Sequence, residues 1–184
     1  MKYSDIVRLV ETDPVVQTLL ELPIALRIGY RGLDGSPRVI PVVYLWDGAA
    51  FVFASPATAY KVRSIAAHPE AAFSLDVGPG PTAAEARVKI SSALGLPVVD
   101  YAPIAVTGHG TASIEIGSGI PQVHLDMARR MIGDDKKLND WANGHVERDN
   151  DWAVISLTPT HLSVCDFVSR FPPTADLAAG AEPA

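Results

Sequence analysis

The rhythm of apolar and polar positions changes about twenty residues into the chain. Residues 4–20 read as one or two short helices, with Ser4 as a cap for the first. Asp13-Pro14 starts the second, because proline fits the first helical position. Beyond Leu22 the pattern becomes that of strands. Residues 23–32, 37–46 and 49–55 form three of them, separated by the turns LDGS and Asp47-Gly48; Asp-Gly is a strong hairpin signal. A helix over 58–67 must stop before Pro69, since a residue preceding proline avoids the α region. A fourth strand covers 70–77.

Gly and Pro density opens the next segment as a loop. Thr82 with Glu85 then offers a capping box, and Gly95 a stop, for a helix over 83–94. A fifth strand spans 104–116, and its glycines predict a bulge. Residues 121–132 form a helix that ends at Gly133. On it, Arg129 and Arg130 read as surface residues. Two last strands, 151–159 and 161–167, form a closing hairpin. From Arg170 onward Pro and Ala dominate, and 170–184 reads as a disordered tail. The expected fold is mainly β (α+β): a six- to seven-stranded antiparallel barrel with short flanking helices. One domain covers 1–169, with 78–103 as an insertion or lid.

Bulk composition narrows the function. The chain of 184 residues is 48% hydrophobic and 20% charged, a globular balance with enough apolar residues for a sizeable core. A formal charge of −6 with no basic run argues against a nucleic-acid partner. Cys165 is the single cysteine, so no intrachain disulfide can form. No apolar run reaches the roughly 18 residues a membrane span needs. The N-terminus lacks the apolar core of a signal peptide. A cytoplasmic protein is expected.

Two positions stand out chemically. Lys61 falls in the first turn of the helix after the third strand, where a cation opposes the helix dipole. Backbone N–H groups at a helix start, the hydroxyls of Ser55 and Thr58 and an ammonium together make a phosphate site. The alternative is a solvated lysine on a surface helix. Pro41 lies inside a strand and cannot donate to the ladder, which places it at an edge or a bulge. A flat heterocycle could lie against the free backbone there; an ordinary edge strand is the plainer explanation. His68, His124, His145 and His161 lack metal-ligand spacing. His109, between two glycines, reads as exposed or structural, with a proton-donor role as the alternative.

The ordered set RVIPVVYLWDGAAFVFASPATAYKVRSIAAHPEAAFSL resembles the flavin-binding split barrel of the pyridoxamine 5′-phosphate oxidase-like superfamily. Arg38, Ser55, Lys61 and His68-Pro69 carry the resemblance. It covers residues 15–77 well and 104–167 loosely. It implies a homodimer with a flavin-type cofactor, FMN or the deazaflavin F420, in clefts between subunits. Lys61 and Ser55 would hold the phosphate, Arg38 would support the phosphate or the ring edge, Val39, Ile40 and Pro41 would line the ring, and Ala54 would start the phosphate turn. Ala59 and Tyr60 stand where the family often has Ser and Arg. The Arg-x-His motif of true pyridoxamine-phosphate oxidases is missing. The resemblance therefore points to a divergent member similar to flavin- or F420-dependent oxidoreductases, passing hydride to a small conjugated or quinone-like substrate. No catalytic side chain is singled out. The alternative is a non-catalytic split barrel that binds haem, a bilin or a stored cofactor.

Overall fold

The computed structural model describes residues 2–77, 81–98, 104–134, 136–140 and 151–166. Two helices lead, α1 (Tyr3–Thr12) and α2 (Pro14–Glu21). Asp13 links them as predicted, its Oδ1 accepting from the N–H groups of Val15 (3.0 Å) and Val16 (3.2 Å). Ser4 lies inside α1 rather than capping it; α1 starts after Lys2 without a side-chain cap. The faces bearing Ile6, Val10, Val15, Val16 and Leu19 are fully buried.

Seven strands follow among the described residues: β1 (Leu26–Arg31), β2 (Pro37–Val42), β3 (Leu45–Trp46), β4 (Phe51–Pro56), β5 (Glu70–Asp76), β6 (Ile104–Ser118) and β7 (Asp151–Asp166). They form one antiparallel sheet in the order β2-β1-β5-β6-β7-β4-β3, open between its ends. This is the expected α+β split barrel. Alternation sends Leu26, Ile28 and Tyr30 of β1, Phe51 and Phe53 of β4, and Ala71, Phe73 and Leu75 of β5 to the buried side. Phe51 is the hub, with ring centroids 4.8 Å from Phe73, 5.0 Å from Trp46 and 5.9 Å from Tyr44.

The single strand expected over 37–46 is two pieces, because the chain leaves the edge after Val42 and re-enters only at Leu45. Pro41 lies on the edge strand β2, which pairs with β1 alone. The hairpin turn falls at Asp47, whose Oδ1 accepts from the N–H groups of Ala49 (2.8 Å) and Ala50 (2.7 Å).

The closing hairpin expected over 151–167 is instead one strand, β7, running alongside β6 throughout. His109 faces His161, but the next residue, Gly110, faces Pro159. Thr160 is the extra residue of a bulge, and it sits on β7 opposite the predicted glycines. Its hydroxyl donates to the carbonyl of His109 at 3.3 Å. The bulge bends both strands, so that β6 serves β5 with its first half while β7 serves β4.

Helix α3 (Tyr60–Ala67) follows β4, and α4 (Pro81–Leu94) follows β5. The latter buries Ala83, Ala86 and Ile90 and packs against α2. The expected lid, 78–103, thus contains a packed helix, while 78–80 and 99–103 lie outside the described residues. So does the predicted tail. No helix among the described residues is long and apolar enough to cross a membrane.

Helix α5 (Gln122–Ile132) ends at Gly133, whose φ of 65° is the left-handed conformation glycine favours at a helix end. Its two arginines differ. Arg129 pairs with Asp126 at the surface (3.3 Å). Arg130 corrects the surface reading: it turns inward and donates to the carbonyls of Leu20, Leu22 (2.5 Å) and Tyr44 (3.4 Å). Its guanidinium also lies 5.3 Å from the Tyr44 ring centroid. One cation thus satisfies the chain leaving α2 and the chain entering β3. Arg130→Met is expected to lower stability by roughly 2–3 kcal/mol, since three carbonyls lose a charged donor. That corresponds to a Tm fall of about 5–10 °C at this chain length, read by thermal unfolding.

Candidate cofactor site

The β4-to-α3 junction places Lys61 in the first turn of α3, as the sequence predicted, although the helix begins at Tyr60 rather than at residue 58. Ala59 is the N-cap and provides no side-chain acceptor. The N–H groups of Tyr60 and Lys61, the first of the helix, therefore have no intrahelical partner. Lys61 is partly buried and forms no ion pair with any described residue. Burial holds its ammonium below the ordinary lysine pKa, with no carboxylate to restore it. A partly desolvated cation beside N–H groups without intrahelical partners is a local excess of positive potential.

Ser55 is 1% exposed, on the same side of β4 as Phe51 and Phe53. Its Oγ has no hydrogen-bond partner among the described residues. Ala54 points to the other side and is half-buried. Thr58 lies in the turn between Ser55 and α3, exposed.

Tyr60 does something the sequence did not signal. Its hydroxyl accepts from the backbone N–H of Leu33 at 3.0 Å. Its ring lies 4.9 Å beneath the Arg38 guanidinium and 5.9 Å from that of Arg63. Leu33 belongs to the turn joining β1 to β2, closed by Gly32 N–H to the Ser36 carbonyl at 2.8 Å. Helix α3 leaves one end of the open sheet and docks on the turn at the other. Tyr60 is the pin. The start of β2 and the first turn of α3 thereby become neighbours, with Arg38 and Lys61 flanking Tyr60 in space and in sequence respectively.

Gly32 makes that contact possible. A Cβ there would lie 2.6 Å from Arg38 Nε, 2.6 Å from Asp34 Oδ1 and 3.1 Å from the Tyr60 hydroxyl. Arg38 also pairs with Asp34, Nη2 to Oδ2, at 2.8 Å. Tyr60 and Asp34 raise the Arg38 pKa, so the guanidinium is firmly charged.

The remaining sequence-predicted residues divide by alternation along β2. Arg38 and Ile40 are half-buried, whereas Val39 and Pro41 face out. Val39, 68% exposed, borders a cleft of about 360 Å3 on the outer face. Gly29 and Ala72 lie across the strands from it, and they present at most a methyl group to that face. The same cross-strand row continues to His109 and His161. Those two exposed imidazoles stack at 5.4 Å, and His109 Nδ1 is 3.2 Å from Thr160 Oγ1. Among the described residues no group of three His, Cys, Asp or Glu is placed to hold a metal.

Among solved structures, the chain is similar to the heme storage protein HutZ from Vibrio cholerae (12% identity over 86% of this chain and 97% of that one, TM-score 0.55). It is also similar to General Stress Protein 26 from Bacillus anthracis (12% over 82% and 91%, TM-score 0.50). These likenesses support the open, split-barrel fold. An F420 reductase is similar at 22% identity over 80% of this chain and 94% of that one, with a TM-score of 0.47. No family model and no curated protein sequence matches. Likeness at these identities speaks for the split-barrel fold; cofactor and reaction rest on the residues.

Proposed function

We propose that this split barrel is an oxidoreductase that binds a phosphate-bearing flavin-type cofactor, FMN or F420, with the phosphate at the start of α3. The observation that carries this reading is Lys61: a partly buried ammonium with no counter-charge among the described residues, at a helix start without a side-chain cap. An anion there would satisfy the N–H groups of Tyr60 and Lys61, offset the repulsion between Lys61 and the helix dipole, and lie beside Arg38. The orphaned hydroxyl of Ser55 fits the same need for an acceptor at this turn. The residues present thus suit a phosphate.

From that anchor, the ring of the cofactor would extend along the edge strand β2, past Val39, Ile40 and Pro41. Among the described residues no strand pairs with the outer edge of β2, so its backbone groups are available to heteroatoms of a ring. Ala59 and Tyr60 put a methyl group and a pinned phenol where a hydroxyl and a second cation would strengthen the anion site. The protein's part is to bind, orient and shelter; the cofactor, when bound, supplies hydride transfer. A homodimer that completes the cleft belongs to the same proposal, as does a small conjugated or quinone-like acceptor.

Turnover tests the enzymatic part. Reduced FMN and reduced F420 are each offered with a quinone acceptor, and the protein is expected to accelerate oxidation of one of them. Oxidation no faster than the protein-free control, with tight binding retained, would leave a cofactor-storing module and sink the enzymatic reading.

A further inference from the structure

The Arg38 guanidinium, beside the Tyr60 ring in the first turn of α3, is already engaged. Arg38 Nη2 donates to Asp34 Oδ2 at 2.8 Å. Asp34 is held from its other oxygen, with Oδ1 accepting from the N–H of Ser36 at 3.1 Å. Carboxylate and phosphate oxygens compete for the same fork of guanidinium N–H donors. A carboxylate therefore sits on the cation that a phosphate at this turn would use.

The pair is built to exchange. Its side chains are 40% and 52% exposed, so neither partner would be left as a buried unpaired charge if the other moved. The guanidinium has a second contact that does not involve Asp34, 4.9 Å from the Tyr60 ring centroid. The turn needs only an acceptor oxygen at position 34 for Ser36 N–H, and asparagine provides one. The negative charge of Asp34 is thus separable from its structural duty.

We infer that Asp34 is an internal competitor for the phosphate: it occupies Arg38 in the empty site and is displaced when a phosphate-bearing cofactor binds, which makes it an affinity-setting residue. The inference rests on the cofactor reading above. It gives Asp34 no part in the chemical step. Its effect is confined to ligands that carry the phosphate, because a ring alone does not contend for Arg38.

Wild type, Asp34→Asn and Asp34→Glu are titrated with FMN, F420 and riboflavin, following cofactor fluorescence. Asp34→Asn is expected to bind the phosphate-bearing cofactor about two- to five-fold tighter, the range of an exposed ion pair. Riboflavin affinity should not change, and Asp34→Glu, which restores the charge, should return to the wild-type value. An unchanged thermal midpoint for Asp34→Asn confirms that the turn is intact. Wild type that binds, with Asp34→Asn no tighter or with riboflavin tightened equally, overturns this inference alone. Wild type that binds neither phosphate cofactor overturns the cofactor reading and this inference together.

Discussion

Gly110→Ala is expected to cost roughly 3 kcal/mol or more, and to yield a protein that unfolds well below the wild-type temperature. An added Cβ would lie 2.1 Å from the Thr158 carbonyl oxygen and 2.8 Å from Pro159 Cα. Both are backbone atoms of the paired strand, so no side-chain rotation relieves the clash. The strands must separate at the bulge around Thr160, where β6 and β7 turn from one half of the sheet to the other. Gly117→Ala is the control. It lies on the same strand, with nothing within 4 Å of its Cβ direction, and a change within about 0.5 kcal/mol is expected. Thermal unfolding of the two variants side by side measures the difference. Equal midpoints would show that β6 and β7 do not approach this closely at Gly110.

Lys61→Ala is expected to weaken cofactor binding about ten- to a hundred-fold, the range for losing a hydrogen bond to a charged group. Fold stability should suffer little, because Lys61 pairs with no described residue and the helix dipole opposes its charge. Acidity gives the same residue a second signature. Burial lowers the Lys61 pKa in the empty site, and a bound anion favours the charged form. The ammonium is fully present well below that lowered pKa and is lost as pH rises through it. Affinity should therefore begin to fall at a pH below the ordinary lysine value. The Lys61→Ala variant should lack this alkaline loss.

Much of the fold was legible because local chemistry and tertiary structure agree. Asp13-Pro14, Asp47-Gly48 and Gly133 each carry a backbone instruction that no distant contact overrides. The helix over 121–132 and the edge position of Pro41 followed in the same way. From the sequence alone, the segment 151–167 divides into two strands around Thr160. Pairing with a continuous β6 turns the same residues into a bulge, and only the partner strand decides between them. Arg130 likewise reads as a surface residue until its acceptors are known. Its acceptors are carbonyls at Leu20, Leu22 and Tyr44, and carbonyls leave no trace in residue identity.

At the candidate site, the conflict between Lys61 and the helix dipole draws attention to the β4-to-α3 junction. The neighbours of Tyr60 were hidden, since they depend on α3 crossing to the β1–β2 turn. Asp34 carried a weak local signal, four residues before Arg38 in a turn. Read alone, that spacing describes an ordinary surface pair.

The central claim is that the start of α3 receives the phosphate of a flavin-type cofactor. The most direct measurement is absorbance and fluorescence titration of wild type and Lys61→Ala with FMN and with F420 at neutral pH and low salt. Saturable binding of at least one of the two by wild type is expected, weakened at least about ten-fold in the variant. Equal affinity of the two proteins for that cofactor, or no binding of either cofactor by wild type, would contradict it.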